Sequence, residues 1–314
     1  MTFAFVFPGQ GSQSVGMLNS LADRPEVQAT LAEASLALGE DLTQLIAAGP
    51  AEALALTTNT QPVMLVAGVA CYRAWLATGG AKPAFVAGHS LGEYSALVAA
   101  EVISFQDAVP LVRYRAEAMQ TAVPLGTGTM AAILGLDGNQ VQAVCAEASA
   151  LTNEVVEAVN FNAPGQVVIA GANAAVSKAC ELLKAAGAKR ALPLSVSAPF
   201  HSSLLQTASE KLAIYLEKVT FHPPSIPLIN NVDVSVLSNP QAIKDALVRQ
   251  AAKPVRWQEI IQAMAAQGIT QVVECGPGKV LAGLTKRIDA QLQGLALFDD
   301  ASLHEVKIAL GQTA

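Results

Sequence analysis

Two glycines bracket a serine in Gly88-His89-Ser90-Leu91-Gly92, and this pentapeptide constrains the local fold more than any other stretch. An apolar run (84–87) precedes it and a helix-like run (93–100) follows, which reads as strand, tight turn, helix. A serine displayed on such a turn needs small neighbours two positions away on each side, because a β-carbon at either site would crowd the backbone. The turn also sets Ser90 at a helix N-terminus, where unpaired N–H groups can stabilise an oxyanion. The pattern predicts a nucleophile elbow and acyl chemistry through a serine ester.

The remaining composition suits an enzyme with a substantial core. Of 314 residues, 52% are hydrophobic and only 14% charged, which fits helices packed on a sheet. A net charge of −6 without a basic stripe argues against nucleic acid as a partner. Cys71, Cys145, Cys180 and Cys275 form no close pair, so neither a metal site nor a disulfide framework is expected. The opening run (1–7) lacks a basic leader and stops at Pro8-Gly9, and the longest apolar segment (62–72) is too short to span a bilayer. The expectation is a cytoplasmic protein with no membrane partner.

Strand and helix patterns alternate through the first third of the chain. Short strands are expected at 3–7 and 84–87, and helices at 27–38, 62–77, 92–100 and 105–122, the order of a parallel α/β sheet. After Pro124-Leu125-Gly126-Thr127-Gly128 the pattern changes. Strand 130–136, helix 138–150, strands 155–162 and 166–171, helix 174–186 and strand 190–196 spell βαββαβ, the split ferredoxin-like unit. A parallel α/β pattern then resumes, with helices at 204–219, 242–252 and 257–267 and strands at 228–230 and 271–274. The expected architecture is a large α/β domain, residues 1–126 and 197–314, interrupted by a small ferredoxin-like domain, residues 127–196.

A serine nucleophile needs a base, and the chain has four histidines. His201, in the loop Ser197-Ala198-Pro199-Phe200-His201-Ser202 just after the insertion, is favoured, although a histidine at a helix entrance can simply cap or pack. His89 diverges from its neighbour on a tight turn and is expected to support the elbow. His222 and His304 read as structural. Gln10, in Pro8-Gly9-Gln10-Gly11-Ser12-Gln13, follows the first strand, where a second oxyanion donor commonly arises, so its N–H is paired with that of Leu91. The G-x-G-x-x-G alternative is broken by Ser14. Arg113 and Arg115 point to different faces of one helix, so at most one enters a pocket, where it would seek a carboxylate; a surface ion pair is the competing reading.

Six segments together resemble malonyl-CoA:acyl-carrier-protein transacylases of type II fatty acid synthesis. They are Phe7 to Gln13, Gly88 to Glu93, Arg115, Pro199-Phe200-His201, Asn230-Asn231-Val232-Asp233 and Glu274-Cys275-Gly276-Pro277-Gly278. The resemblance covers nearly the whole chain. It implies a hydrolase-like three-layer α/β/α domain carrying a ferredoxin-like insertion. It further implies Ser90 as nucleophile, His201 as base and then acid, and the Gln10 and Leu91 N–H groups as oxyanion hole. Arg115 would hold the malonyl carboxylate, and Gln250 would orient the histidine through its backbone carbonyl. Asn160 and Asn162 match a loop facing the active site, where turn residues and substrate contacts remain equal readings. Phe200 stands where related acyltransferases often carry Phe when malonyl-selective. The implied partners are malonyl-CoA and holo-acyl carrier protein, and phosphopantetheine enters as part of both substrates, so no resident cofactor or metal is expected. A monomer is expected. The pairs Lys189-Arg190 and Lys286-Arg287 are candidates for carrier contact, with solvated surface charge as the competing reading. Three other readings stay open: a hydrolase using Ser90, Asp233 and His304, a polyketide acyltransferase, and a non-catalytic carrier-docking protein.

Overall fold

The computed structural model describes residues 2–196 and 198–312. Ser197, where the large domain is expected to resume, and the terminal residues Met1, Thr313 and Ala314 lie outside them. Strand β1 (Phe3–Phe7) leads through α1 (Pro25–Leu38), α2 (Leu42–Ala48), α3 (Ala51–Ala55) and α4 (Thr57–Ala77) to β2 (Phe85–Gly88). Helices α5 (Gly92–Ala99) and α6 (Phe105–Gln120) follow. Next come β3 (Gly128–Leu134), α7 (Gly138–Thr152), β4 (Val156–Ala163), β5 (Gln166–Ala172), α8 (Asn173–Ala185) and β6 (Arg190–Pro193). The chain finishes with α9 (Gln206–Leu216), α10 (Pro240–Gln250), α11 (Trp257–Ala266), β7 (Gln271–Cys275), α12 (Val280–Ile288), β8 (Gln293–Leu297) and α13 (Asp300–Ala309).

One sheet is parallel throughout, in the order β2-β1-β7-β8. Alternation along β1 divides its side chains between two cores. Phe3, Phe5 and Phe7 enter a core with α1, α4, α5 and α6, where Phe5 meets Tyr72 and Trp75 edge-on. Ala4 and Val6 face the opposite core, against Trp257, Ile260 and Ile261 of α11 and Leu281 and Leu284 of α12. Helices therefore cover both faces, the three-layer arrangement expected, and α4 is buried on nearly all sides.

The second sheet is antiparallel, ordered β4-β5-β3-β6, the ferredoxin-like order for a βαββαβ unit. Helices α7 and α8 pack on one face through Val141, Cys145, Ala179 and Leu183. Met130, Val159, Val168 and Ala170 on the other face pack against Ala118 and Met119 of α6 and against Phe200, Leu205 and Ala208. A backbone stitch adds to that contact, with Phe161 N–H donating to Val255 O at 2.9 Å and Val255 N–H to Val159 O at 2.9 Å.

Several expected elements change in extent. Helix α4 begins five residues before Pro62, which therefore sits inside the helix rather than opening it. Strand β6 stops at Pro193, and Leu194 and Val196 turn instead to line a cavity. The strand expected at 228–230 is reduced to isolated bridges, Val86 with Leu228 and Ile229 with Val236. No helix among the described residues is long and apolar enough to cross a membrane.

Candidate active site

The elbow follows β2 directly. A Cβ on Gly88 would sit 1.8 Å from the Gly92 carbonyl carbon, and one on Gly92 would sit 2.0 Å from the Phe7 carbonyl oxygen, so neither position admits a side chain. Between them Ser90 takes φ 52°, a left-handed conformation that non-glycine residues seldom adopt. Asn231 holds this strained turn from behind: its Oδ1 accepts the Ser90 N–H at 2.8 Å and its Nδ2 donates to Gly88 O at 2.7 Å. Ser90's own N–H is thus engaged. The Leu91 and Gln10 N–H groups have no acceptor among the described residues, and both residues line the cavity in front of Ser90.

Ser90 Oγ lies 2.7 Å from His201 Nε2. His201 Nδ1 is 2.8 Å from the Gln250 carbonyl oxygen, which can only accept, so the proton sits on Nδ1 and the Nε2 lone pair faces the serine hydroxyl. His201 is itself left-handed, at φ 65°. Burial, with a smaller contribution from the Arg115 charge, pushes its pKa down to about 3 and keeps the imidazole neutral, the form a base requires.

Arg115 reaches the same oxygen from α6. Its Nη2 donates to Ser90 Oγ at 3.1 Å and to Gln250 Oε1 at 2.8 Å, and its Nη1 donates to Gln61 Oε1 at 2.8 Å. The guanidinium stands over the Tyr94 ring, 5.2 Å from its centroid, and the residue is 1% exposed. None of these hydrogen-bonding partners is a carboxylate. The nearby Glu93 is pushed up to about 7 by burial, and burial lowers the Arg115 pKa. Arg113, two positions earlier, instead forms a two-pronged ion pair with Glu40 at 2.8 and 2.7 Å, as expected for the opposite helix face.

A cavity of about 230 Å³ opens in front of these groups. Its polar wall includes Gln10, Gln61, Asn160 and Asn162, and Met119, Met130, Val168 and Phe200 supply apolar surface. Asn162 Oδ1 pairs with His89 Nε2 at 2.8 Å, and His89 packs on Trp257, the supporting place expected for it. Asn160 is buried with an Oδ1 that has no partner among the described residues. Every residue singled out from the sequence for this site lines the cavity except Gln250, which stands behind His201. The acid–histidine alternative is not assembled: Asp233 pairs with Arg249 at 2.7 and 2.6 Å, and His304 is exposed on α13. Among the described residues no cluster of His, Cys, Asp and Glu could hold a metal ion.

Sequence reasoning missed Gln61, the contacts of the Gln250 side chain and the structural parts played by Asn231 and Glu93. Gln61 directly precedes Pro62, outside the helix expected at 62–77, and nothing in its local context marked it as a site residue. Asn231 and Glu93 stood inside recognised motifs, but nothing local indicated that they would meet.

A serine elbow, a neutral histidine and a buried guanidinium on a three-layer α/β fold define an acyltransferase-type site, and residues 4–294 match the acyl transferase domain family. The chain is 56% identical over 302 residues to malonyl CoA-acyl carrier protein transacylase of Escherichia coli strain K12, covering 96% of this chain and 97% of that relative. It is 44% identical over 301 residues to the Bacillus subtilis protein of the same name, covering 96% and 94%. The crystal structure of acyl-carrier-protein S-malonyltransferase from Burkholderia pseudomallei superposes with a TM-score of 0.96 at 68% identity, covering 98% of this chain and 99% of that one. A malonyl-transacylase in complex with a type II PKS acyl-carrier protein superposes with a TM-score of 0.96 at 50% identity, covering 99% and 100%. The chain belongs to the malonyl CoA-acyl carrier protein transacylase family.

Proposed function

We propose that this chain moves the malonyl group from malonyl-CoA to the phosphopantetheine thiol of holo-acyl carrier protein, in fatty acid biosynthesis, through a malonyl-Ser90 intermediate. The observation that carries this reading is the junction at Ser90 Oγ, 2.7 Å from a neutral imidazole and 3.1 Å from a buried guanidinium hydrogen-bonded to no carboxylate. The imidazole activates the hydroxyl. The guanidinium favours an acyl group ending in a carboxylate, which it can grip by parallel hydrogen bonds.

In the first half-reaction Ser90 Oγ attacks the thioester carbonyl while His201 Nε2 takes its proton. The N–H groups of Gln10 and Leu91 receive the oxyanion. The carbon–sulfur bond breaks, the protonated imidazole returns its proton to the CoA sulfur, and malonyl remains as a serine ester. In the second half the carrier thiol loses its proton to His201 and attacks the ester, and Ser90 recovers the proton as it leaves. Gln250 holds the imidazole through its carbonyl oxygen, so no acidic triad member is needed. Asn160, Asn162 and Phe200 border the acyl group. The cycle calls for no metal or resident cofactor.

The same reading places the work in the cytoplasm, in a monomer without nucleic-acid or membrane partners, with residues 1–126 and 197–314 as the large domain and 127–196 as the small one. Lys189-Arg190 and Lys286-Arg287 are exposed and available to an acidic carrier. Incubation with malonyl-CoA followed by intact-protein mass spectrometry tests the chemistry: the wild type gains one malonyl group and Ser90→Ala gains none. An adduct that persists in the variant rules out Ser90 as the nucleophile.

A further inference from the structure

Among the described residues, Gln250 alone is hydrogen-bonded to Ser90, His201 and Arg115. Its carbonyl oxygen accepts from His201 Nδ1, its Oε1 accepts from Arg115 Nη2, and its Nε2 donates to Ser90 O at 3.0 Å and to Glu93 Oε2 at 2.8 Å. These partners fix which way the amide points, because a guanidinium only donates, whereas the backbone and Glu93 oxygens accept. Glu93 Oε2 also accepts the Asn231 N–H at 3.1 Å, and Asn231 is the residue that grips Ser90 N–H and Gly88 O. One carboxyl oxygen in the first turn of α5 thus ties the back of the elbow to the amide that faces the arginine. Glu93 is 1% exposed and lies outside the cavity wall, so it does not touch substrate.

We propose that Glu93 is a positioning residue for acyl-group selection: by holding Gln250 Nε2 it presents Gln250 Oε1 to Arg115 and keeps the guanidinium aimed at the Ser90 oxygen. A glutamine at position 93 keeps an oxygen toward both Gln250 Nε2 and the Asn231 N–H, because that backbone donor rejects an NH₂ there, so the informative replacement is one without an oxygen. Glu93→Met removes that oxygen and leaves Ser90 O as the remaining acceptor for Gln250 Nε2. The Gln250 amide then loses its fixed direction toward Arg115, while the contacts of His201 with Ser90 and the Gln250 carbonyl remain.

The inference rests on the malonyl-transfer reading and is separable from it. Single-turnover acylation of the full-length protein by malonyl-CoA and by acetyl-CoA is to be measured for the wild type and for Glu93→Met. Malonyl acylation is expected to fall at least about tenfold and acetyl acylation by less than about threefold, a split that general loosening of the fold does not produce. Equal losses for both acyl groups, or an unchanged ratio, overturn the role of Glu93 and leave the malonyl reading standing. A wild type that forms no malonyl-enzyme overturns both. If Glu93→Met does not fold, Gln250→Met removes the amide and keeps the backbone carbonyl: loss of the malonyl preference supports the relay, and retention overturns it.

Discussion

At Arg115 two opposing terms decide what the pocket accepts. Burial penalises the guanidinium, and its hydrogen-bonding partners, two amide oxygens and a hydroxyl, compensate only in part. An incoming carboxylate supplies the missing charge. Truncating one partner of a buried charge pair costs about 2–5 kcal/mol, so Arg115→Ala should lower malonyl kcat/KM by more than about tenfold while sparing acetyl transfer. Steady-state kinetics with both acyl-CoAs check this, and equal losses would make Arg115 structural. His201 carries a pH consequence. Its folded pKa of about 3 lies below the ordinary value of 6.5, so the base stays neutral as pH falls through 6.5. Single-turnover acylation should therefore show no histidine limb between pH 7 and about 5.5. Glu93 runs the other way. Its folded pKa, about 7, exceeds the ordinary 4.5, so the stability it contributes is present below 4.5 and lost as pH rises through about 7. Thermal melts of Glu93→Gln against wild type should show the variant relatively more stable at pH 8 than at pH 5.

At the scale of elements, the elbow is where local sequence and local structure agree most closely. Its two glycines are demanded by contacts with the Gly92 and Phe7 backbones, so Gly88→Ala and Gly92→Ala should each destabilise the fold by about 4 kcal/mol or more, measured by urea unfolding. The ferredoxin-like unit was equally legible, because alternating strands and amphipathic helices within about 70 residues carry their own periodicity. Legibility failed where periodicity is absent. Helix α4 is buried nearly all round, so no polar face marked its start, and Pro62 suggested a beginning that lies five residues earlier. The short helices α2 and α3 and the elements α12, β8 and α13 were not identified, although the GPG turn before α12 and the capping box of Asp299 were present as signals. Leu194 and Val196 read as strand by composition, yet they line the cavity beyond Pro193, the last residue in register with β3.

For the whole molecule, the cavity lies where the second sheet meets α6 and the 198–208 segment, and it holds one nucleophilic oxygen. In the proposed cycle both phosphopantetheine-bearing substrates reach that oxygen through the same space, so CoA has to leave before the carrier thiol enters. Initial-rate measurements should give parallel double-reciprocal lines, and intersecting lines would mean that both substrates bind together. The sequence by itself determined the elbow, the βαββαβ unit and the candidate serine and histidine, because strained turns, periodicities and reactive side chains are local properties. Only the tertiary structure decided how those groups meet. Asn231 behind Ser90, Gln61 beside Arg115 and Glu93 behind Gln250 are contacts across 141, 54 and 157 residues. Their geometry depends on how two sheets and the helices between them pack, and a one-dimensional pattern holds no measure of that distance.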